Sequence, residues 1–369
     1  MLGRWIVVTA VVAYVSIVGC ALTPAPAGDG ATNTTTNATS GNARIAIPSK
    51  PIPGLPYRGF AMQLQRTDWI DKYEQSIDEI AAMGADTVSF VVDSRQENGA
   101  SSKIYLDMRV TPTPEMLGRL IKHAKGKGLR VILMPIVLLD APRNNEWRGT
   151  IAPANWDQWW ESYRGMLHHF AWIAQLNGVD VLSVGSELVS TEDIRFINEW
   201  SDVIRDVRET FKGQLTYSAN WDHYRAVKFW DELDLIGMNS YYKLGNDRNV
   251  SVDEIVNRWR DIQKDLLAFQ REIGKPLMFL EVGWCSLSNA AHEPWDYTKT
   301  TESYDPELQQ KLFQGFFTAW HGNPKLGGFM VWEWPPVDGG PGDRGYTPKG
   351  KPAEKLIQEW LGKPRWDVK

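Results

Sequence analysis

The chain has 369 residues and a formal net charge of −5 at pH 7, and its charged residues are spread without long runs of one sign. A protein of this charge lacks the basic surface that binds nucleic acid, so we exclude nucleic acid as a partner. The 2 cysteines are too few for a disulfide framework or a cysteine-based metal site.

The N-terminus has the pattern of an export signal. Arg4 precedes the apolar residues 5–18, a stretch shorter than the roughly 20 residues that span a membrane. The stretch ends in Ile17-Val18-Gly19-Cys20, which resembles a bacterial lipobox, so we expect residues 1–20 to be a signal peptide and Cys20 to be lipidated. An ordinary secretory signal or a short membrane anchor is the alternative. Because Leu22 is not the aspartate typical of inner-membrane retention, we expect an exported lipoprotein of the cell envelope, held at the outer membrane.

Residues 21–55 form a segment rich in Thr, Asn, Ala, Gly, Ser and Pro. Such a composition buries too little apolar surface to offset the entropy lost on ordering, so we predict a disordered tether. Residues 56–369 are then the folded domain.

Eight short apolar runs alternate with amphipathic stretches in this domain, and three of those stretches end at a glycine that we interpret as a helix stop: Gly84, Gly128 and Gly213. The predicted strands are residues 58–64, 86–92, 129–136, 180–186, 214–219, 233–239, 276–282 and 327–333. Alternating strands and helices of this length predict a parallel sheet, and eight such units favour a (β/α)₈ TIM barrel. No glycine-rich nucleotide motif follows the first strand, so we expect no dinucleotide cofactor, and indeed no cofactor.

Two glutamates stand where this fold places its chemistry, at the carboxyl ends of strands. Glu187 follows the fourth predicted strand and Glu281 ends the seventh. From strand alternation, we expect Ser183, Gly185 and Glu187 to face inward and Leu182 and Val184 to face the helices. In the seventh strand, the same argument directs Phe279 and Glu281 inward and Met278 and Leu280 outward.

A carboxyl pair across a barrel mouth is the arrangement that glycoside hydrolysis uses. One carboxyl donates a proton to the leaving oxygen, and the other attacks the anomeric carbon. Each glutamate alone could equally be a salt-bridge partner, but the two together favour this chemistry.

Several motifs add a family resemblance over residues 57–335: EWRGTIAP, VLSVGSEL, LIGMNSYYKL, FLEVGW and FMVWEW. In this order they resemble glycoside hydrolase family 113 of the retaining clan A, whose described members are β-mannanases. The resemblance implies that Glu187 is the acid/base, Glu281 the nucleophile, and Tyr241 (or its neighbour Tyr242) the hydrogen-bond partner of the nucleophile. It also implies that Trp332 forms the floor of the reacting subsite.

Further substrate contacts are expected at strand and loop ends, although each Trp could equally be a core residue. They are Trp147, Ser186, Asn220, Trp221 and Trp284. Glu333 is the alternative if one glutamate assignment fails.

The chain departs from the family pattern at three of its residues. Ser186 stands where clan A enzymes usually have Asn, and Met134 and Ile136 flank Pro135 where family 113 tends to have Lys and His. These departures affect substrate choice more than the two-carboxylate mechanism.

The remaining reactive side chains suggest no second site. His168 and His169 are adjacent on a predicted helix and point about 100° apart, so we expect no metal site. Cys285 has no histidine placed to activate it and is interpreted as a buried thiol. The polar residues Asp93, Arg95 and Glu97 after the second strand could contact sugar hydroxyls, but we interpret them as solvated.

The hypothesis from sequence is a retaining β-glycosidase that acts on β-linked polysaccharide or oligosaccharide, with β-1,4-mannan as the first candidate. The alternatives are a non-catalytic sugar-binding lipoprotein and a structural envelope lipoprotein. For the sugar-binding protein, we expect Glu187 or Glu281 to lie far from the cleft or in a salt bridge.

Overall fold

A computed structural model describes residues 54–299 and 301–369 as a closed barrel. Its eight parallel strands are β1 Tyr57–Gln63, β2 Thr87–Gln96, β3 Arg130–Leu139, β4 Val181–Ser186, β5 Gln214–Ala219, β6 Ile236–Asn239, β7 Leu277–Val282 and β8 Leu326–Val331. β1 pairs with both β2 and β8, which closes the sheet. A two-residue strand, Ile104–Tyr105, pairs antiparallel with the end of β2. The predicted TIM barrel is confirmed.

In the described part of the chain, seven α-helices surround the barrel: α1 Ile70–Ala82, α2 Pro114–Gly126, α3 Trp156–Asn177, α4 Ile197–Thr210, α5 Val252–Ile273, α6 Pro306–Trp320 and α7 Pro352–Leu361. Four of them begin at a residue whose side chain accepts a backbone N–H of the first turn: Thr113, Asn155, Ser251 and Asp305. Such caps satisfy donors that the helix leaves free and so fix where each helix begins.

One strand–helix unit differs from the prediction. Between β5 and β6 the described chain has a 3₁₀ helix, Trp230–Glu232, in place of an α-helix. The buried Trp230 fills the space beside the barrel. The ammonium of the buried Lys275 donates to the carbonyl oxygens of Trp230 (2.9 Å), Asp231 (2.6 Å) and Leu233. Lys275 therefore satisfies backbone acceptors that a longer helix would have satisfied itself.

The predicted glycine stops are correct at two of three places. Gly84 and Gly128 follow α1 and α2 with φ of 81° and 78°, in the left-handed region. Gly213 does not have a left-handed φ. The helix α4 has already ended at Phe211, which is in an extended conformation, so no glycine stop is needed at residue 213. A Cβ at Gly213 would lie 2.3 Å from the Phe211 ring, so close packing requires glycine there.

Apolar side chains form one cluster inside the barrel and a larger one between the barrel and its helices. Leu182 and Val184 lie in the outer cluster, as expected. For β7, the expected inward and outward directions of the side chains are wrong. Met278 and Leu280 lie in the cluster inside the barrel, and Phe279 lies in the cluster outside it.

The reason is an irregularity in the pairing of β7. The register to β6 shifts after the Met238–Phe279 pair, so Asn239 lies opposite Glu281. An extra residue in one strand re-aims the side chains that follow it. Glu281 therefore still reaches the barrel mouth, although the side chains before it point in the directions opposite to those expected.

Both ends of the described chain lie at the face opposite the mouth. Arg130 and Arg365 each donate to the carbonyl oxygen of Pro56, at 3.0 and 2.8 Å, just before β1. At the other end, Lys369 contacts the backbone of Pro324 and the ammonium of Lys325, just before β8. This face is the amino-terminal end of the strands.

The predicted signal peptide, Cys20 and most of the tether lie outside the described residues. Gly54 is exposed, and Leu55 packs against the inner cluster. None of the helices in residues 54–299 and 301–369 has the length and apolarity of a membrane span.

Candidate active site

Glu187 follows β4 in a strained turn that directs its side chain toward the mouth. Its φ is +53°, a left-handed conformation that costs a non-glycine residue roughly 1 kcal/mol or more. A hydrogen bond to the next strand stabilises the turn: the Leu188 N–H donates to the Tyr217 hydroxyl at 2.8 Å. That hydroxyl donates in turn to the buried Glu192 carboxylate, also at 2.8 Å.

Both oxygens of the Glu187 carboxylate have donors. Arg148 Nη2 lies 2.5 Å from Oε2, and Asn239 Nδ2 donates to Oε1. Neither partner was predicted, because Arg148 lies in the loop after β3 and Asn239 ends β6, far from Glu187 in sequence. The available signal was that both residues fall inside motifs of the family resemblance.

Glu281 lies buried beside Glu187 and is held by a tyrosine. The Tyr241 hydroxyl donates to Glu281 Oε2 at 2.7 Å. Burial and the neighbouring Glu187 raise the pKa of Glu281 to about 8, whereas the Arg148 charge and the Tyr241 hydrogen bond oppose that rise. The two carboxyls together therefore hold a proton at neutral pH that two isolated carboxyls would have lost.

Of the two candidate tyrosines, the structure places Tyr241 at Glu281. The hydroxyl of Tyr242 instead donates to the Trp221 carbonyl oxygen at 3.2 Å. Its ring meets the Trp221 ring edge-on, with centroids 5.1 Å apart. Tyr242 thus lies in the buried cluster between the barrel and its helices, where it contacts Trp221, and does not belong to the carboxyl pair.

The predicted aromatic contacts separate into lining and core. Trp332 and Trp147 are partly exposed, and Trp332 packs on the inner cluster. Trp221 is also partly exposed and stacks on Trp295, a residue not predicted, with centroids 5.9 Å apart and an interplanar angle of 17°. The substrate contact predicted for Trp284 is wrong, because this ring is fully buried against Phe313 of α6.

The two small polar candidates are buried at strand ends. Asn220 is 5% exposed, and its Oδ1 accepts the Trp221 N–H at 3.1 Å. Ser186 is 1% exposed, directly before Glu187. Met134 and Ile136, the departures on β3, lie in the apolar inner cluster. The polar groups of the mouth therefore come from other strands than β3.

The interpretation of Asp93 as solvated is wrong. Asp93 is fully buried and pairs with Arg95, whose Nη2 lies 2.6 Å from its Oδ2, whereas Glu97 is exposed as expected. Burial raises the pKa of Asp93 to about 6, although the Arg95 charge opposes the rise. Glu333, the spare carboxyl, accepts a hydrogen bond from Gln63 at 2.9 Å, and burial raises its pKa to about 7.

The other reactive side chains stay apart from this site. Cys285 is buried, and burial raises the pKa of its thiol to about 12, which disfavours the thiolate nucleophile. In the part of the chain that the structure describes, no cluster of three or more His, Cys, Asp or Glu is arranged to hold a metal ion.

Comparisons with known proteins add to this geometry. The model of Glycoside Hydrolase Family 113 matches residues 59–351. A family 113 β-mannanase from Alicyclobacillus acidocaldarius, solved in complex with ManMIm, is 27% identical, with a TM-score of 0.74 over 84% of this chain and 98% of its own. A second family 113 structure, a β-1,4-mannanase complex, is 26% identical, with a TM-score of 0.75 over 83% and 98% of the two chains. A Bifidobacterium dentium β-glucuronidase is 14% identical, with a TM-score of 0.56 over 85% of this chain and 47% of its own, and shares the fold alone. No curated protein sequence matches the chain.

Proposed function

Because the chain belongs to glycoside hydrolase family 113 and is a clan A glycoside hydrolase, we propose that it cleaves β-linked mannan with retention of anomeric configuration. The observation that carries the proposal is one buried site that holds two strand-end glutamates, with Tyr241 on Glu281 and Arg148 on Glu187.

In the first step, Glu281 attacks the anomeric carbon and Glu187 protonates the leaving oxygen. The step needs one proton on the pair, which the raised pKa of Glu281 supplies near neutral pH. This proton must be on Glu187 when the bond breaks. The Tyr241 hydrogen bond favours that distribution, because it stabilises the ionised form of Glu281.

In the second step, Glu187 removes a proton from water, which then releases the sugar from Glu281. Arg148 and Asn239 hold the Glu187 carboxylate in place for this step. Both of its oxygens are occupied in the structure. Each oxygen keeps a second lone-pair site, so the glycosidic oxygen of a substrate can reach Glu187 beside these two donors.

The β-mannan assignment rests on the two similar family 113 structures, which are β-mannanases. Those two chains are matched over 98% of their length, so the likeness covers their whole barrels.

A non-catalytic sugar-binding protein remains the second candidate, and one observation favours it. The Arg148–Glu187 salt bridge, at 2.5 Å, is the feature that we expected of such a protein. The same guanidinium also acts on Glu281, so it equally fits a group that offsets the charge of two catalytic carboxylates.

The test is hydrolysis of a panel of β-linked polysaccharides by the full-length chain and by Glu281→Ala. We expect reducing sugar from β-mannan with the parent and a loss of at least about 10³-fold in the variant, because the covalent step is removed. Proton NMR of the first product should show the β-anomer. Activity on a different β-glycan would discard mannan, and an α-product would discard retention. Sugar binding without turnover by the parent would instead identify a binding protein.

We also propose that the enzyme is exported and held at the outer membrane through a lipid on Cys20. The support is the sequence pattern at residues 1–20. Metabolic labelling with a fatty acid should label the parent and not Cys20→Ser, and the variant should leave the membrane fraction. Equal membrane association without the label would contradict lipidation.

A further inference from the structure

A row of hydrogen-bonded polar side chains, here called the polar wall, lines one side of the barrel mouth. Gln63 Nε2 donates to Glu333 at 2.9 Å, and Gln65 Nε2 donates to Gln63 Oε1 at 3.0 Å and to Asp93 at 3.3 Å. Arg95 closes the row on Asp93. The wall therefore consists of Gln63, Gln65, Asp93, Arg95 and Glu333.

The strand pattern places this wall inside the mouth. Ala61 of β1 and Val91 of β2 lie in the inner cluster, and Gln63 and Asp93 stand two residues further along the same strands. Side chains two apart on a strand share a face, so Gln63 and Asp93 point toward the barrel axis above that cluster. Glu333 follows β8, so the wall covers the β8–β1–β2 side.

The wall borders Glu281 and the charged centre of the site. The Glu333 charge acts on Glu281, and the Arg148 charge acts on Asp93. The Nε atoms of Arg95 and Arg148 are buried, and neither has a partner among the described residues. Buried donors of this kind usually meet a ligand or an ordered water.

The opposite side of the mouth is aromatic and is connected to Glu187. Asn239 donates to Glu187 through Nδ2, and its Oδ1 accepts the Trp221 N–H at 2.8 Å. Trp221 then stacks on Trp295. The polar side of the site is thus beside the proposed nucleophile, and the aromatic side is beside the proposed acid.

We propose that the partly exposed side chains of the polar wall (Gln63, Gln65, Arg95 and Glu333) bind the hydroxyls of the sugar that becomes attached to Glu281, and that the Trp221–Trp295 face binds the leaving sugar. The buried Asp93 holds Gln65 and Arg95 in place. This assignment rests on the proposed function, because it takes Glu281 as nucleophile and Glu187 as acid. Carboxyl and amide groups offer both acceptors and donors, which the hydroxyls of an uncharged sugar require. Flat rings instead suit the apolar faces of successive sugars, and they tolerate variation along a chain.

The raised pKa values of the carboxyls in the polar wall fit the binding of an uncharged ligand. Burial raises the pKa of Glu333 to about 7 and that of Asp93 to about 6. In mildly acidic solution the partly exposed Glu333 carboxyl can therefore donate as well as accept a hydrogen bond.

The test combines wall variants with substrates that lack single hydroxyls. The substrates are 4-nitrophenyl β-mannobioside and its analogues with one deoxygenated position on the reacting sugar, assayed with the parent, Gln63→Ala, Glu333→Gln and Trp295→Ala. In the parent, loss of a hydroxyl bound by the wall should lower kcat/KM by about 10- to 100-fold, as for a hydrogen bond to a charged group. In a wall variant that has lost that bond, the same deoxygenation should cost less than about 3-fold.

Trp295→Ala is the matched control. It should keep the full response to deoxygenation, yet lower kcat/KM on mannohexaose relative to the aryl substrate, whose leaving group offers no second sugar to stack. Glu333→Gln keeps the size of the side chain but removes the carboxyl group, so it keeps the test informative where Gln63→Ala fails to fold.

Binding of mannobiose to the same variants in the Glu281→Ala background, measured by titration calorimetry, separates the wall from the proposed function. A parent without turnover, together with binding weakened at least about 10-fold by Gln63→Ala, would overturn the proposed function and keep the wall as a sugar site. If the wall variants bind mannobiose as tightly as the parent does and respond equally to deoxygenation, the polar wall does not bind the sugar. This conclusion would hold whether or not the parent is an active enzyme.

Discussion

Tyr241 is the residue whose removal tests the electrostatics of the carboxyl pair. Its hydroxyl lies 2.7 Å from Glu281 and lowers the pKa of that carboxyl, against the larger rise caused by burial and Glu187. Removing the hydroxyl must therefore raise the pKa of Glu281 further above about 8.

We expect Tyr241→Phe to shift the alkaline limb of the pH profile of kcat/KM upward from about pH 8. Above that limb the pair has lost the proton that the leaving group needs, so activity falls as pH rises. The maximum rate should also fall, by about 10- to 100-fold, because the nucleophile is ionised less often. Tyr242→Phe, which alters the neighbouring hydroxyl, is the control and should leave the limb in place. An alkaline limb that moves downward in Tyr241→Phe would contradict the assignment.

At the residue scale, the sequence could predict the two glutamates and, through the family resemblance, Tyr241 beside Glu281, but not the partners of Glu187. A polar residue at the end of an apolar strand is a local signal, and Glu187 and Glu281 both show it. Arg148 and Asn239 reach Glu187 across 39 and 52 positions, and no local pattern pairs either of them with that carboxyl. Asp93 was misassigned for the same reason, because the burial of a carboxyl depends on what other strands bring to it.

At the scale of elements, the strands were predictable and the details of their ends were not. Parallel strands buried on both faces give near-continuous apolar runs, and all eight runs became strands. Strict alternation failed in β7, where the irregular pairing with β6 reverses the phase before Glu281. The chain between β5 and β6 lacks the expected α-helix because large aromatic residues fill the space and Lys275 satisfies the backbone.

Lys275 provides a prediction about the stability of that unit. Its ammonium is buried and donates to three backbone carbonyls, so Lys275→Met would leave those acceptors without their donor. Unsatisfied buried acceptors cost about 1–3 kcal/mol each, and partial relaxation lowers the sum. We expect the free energy of unfolding in urea to fall by roughly 3 kcal/mol. Lys264→Met, on the exposed face of α5, is the matched control and should change stability by less than about 0.5 kcal/mol. Equal stability of the two variants would show that the carbonyls find other partners.

At the scale of the whole molecule, four buried carboxyls predict how stability depends on pH. Burial raises the pKa of Asp93 to about 6, of Glu192 and Glu333 to about 7, and of Glu281 to about 8. A carboxyl whose folded pKa exceeds its unfolded value stabilises the fold while it is protonated, and this stabilisation is lost as pH rises through the folded pKa. The free energy of unfolding should therefore decline between about pH 5 and pH 8.

Glu192→Gln isolates one of these groups, since Glu192 lies behind Glu187 on the Tyr217 hydroxyl. As pH rises, the free energy of unfolding of the variant should decline less than that of the parent. The difference should reach up to roughly 3 kcal/mol over the range, because a shift of one pKa unit corresponds to about 1.4 kcal/mol. Urea unfolding at a series of pH values measures both slopes. Parallel slopes for parent and variant would show that Glu192 does not titrate in this range.

The two ends of the described chain share the face opposite the catalytic mouth: Gly54 enters beside β1, and Lys369 finishes beside β8. The barrel can therefore be fixed to a bead, a fusion partner or a bilayer by either end without covering its opening. An enzyme held through Cys20 would have its attachment on the face away from the mouth, which leaves the opening free for a polymer too long to enter the cell.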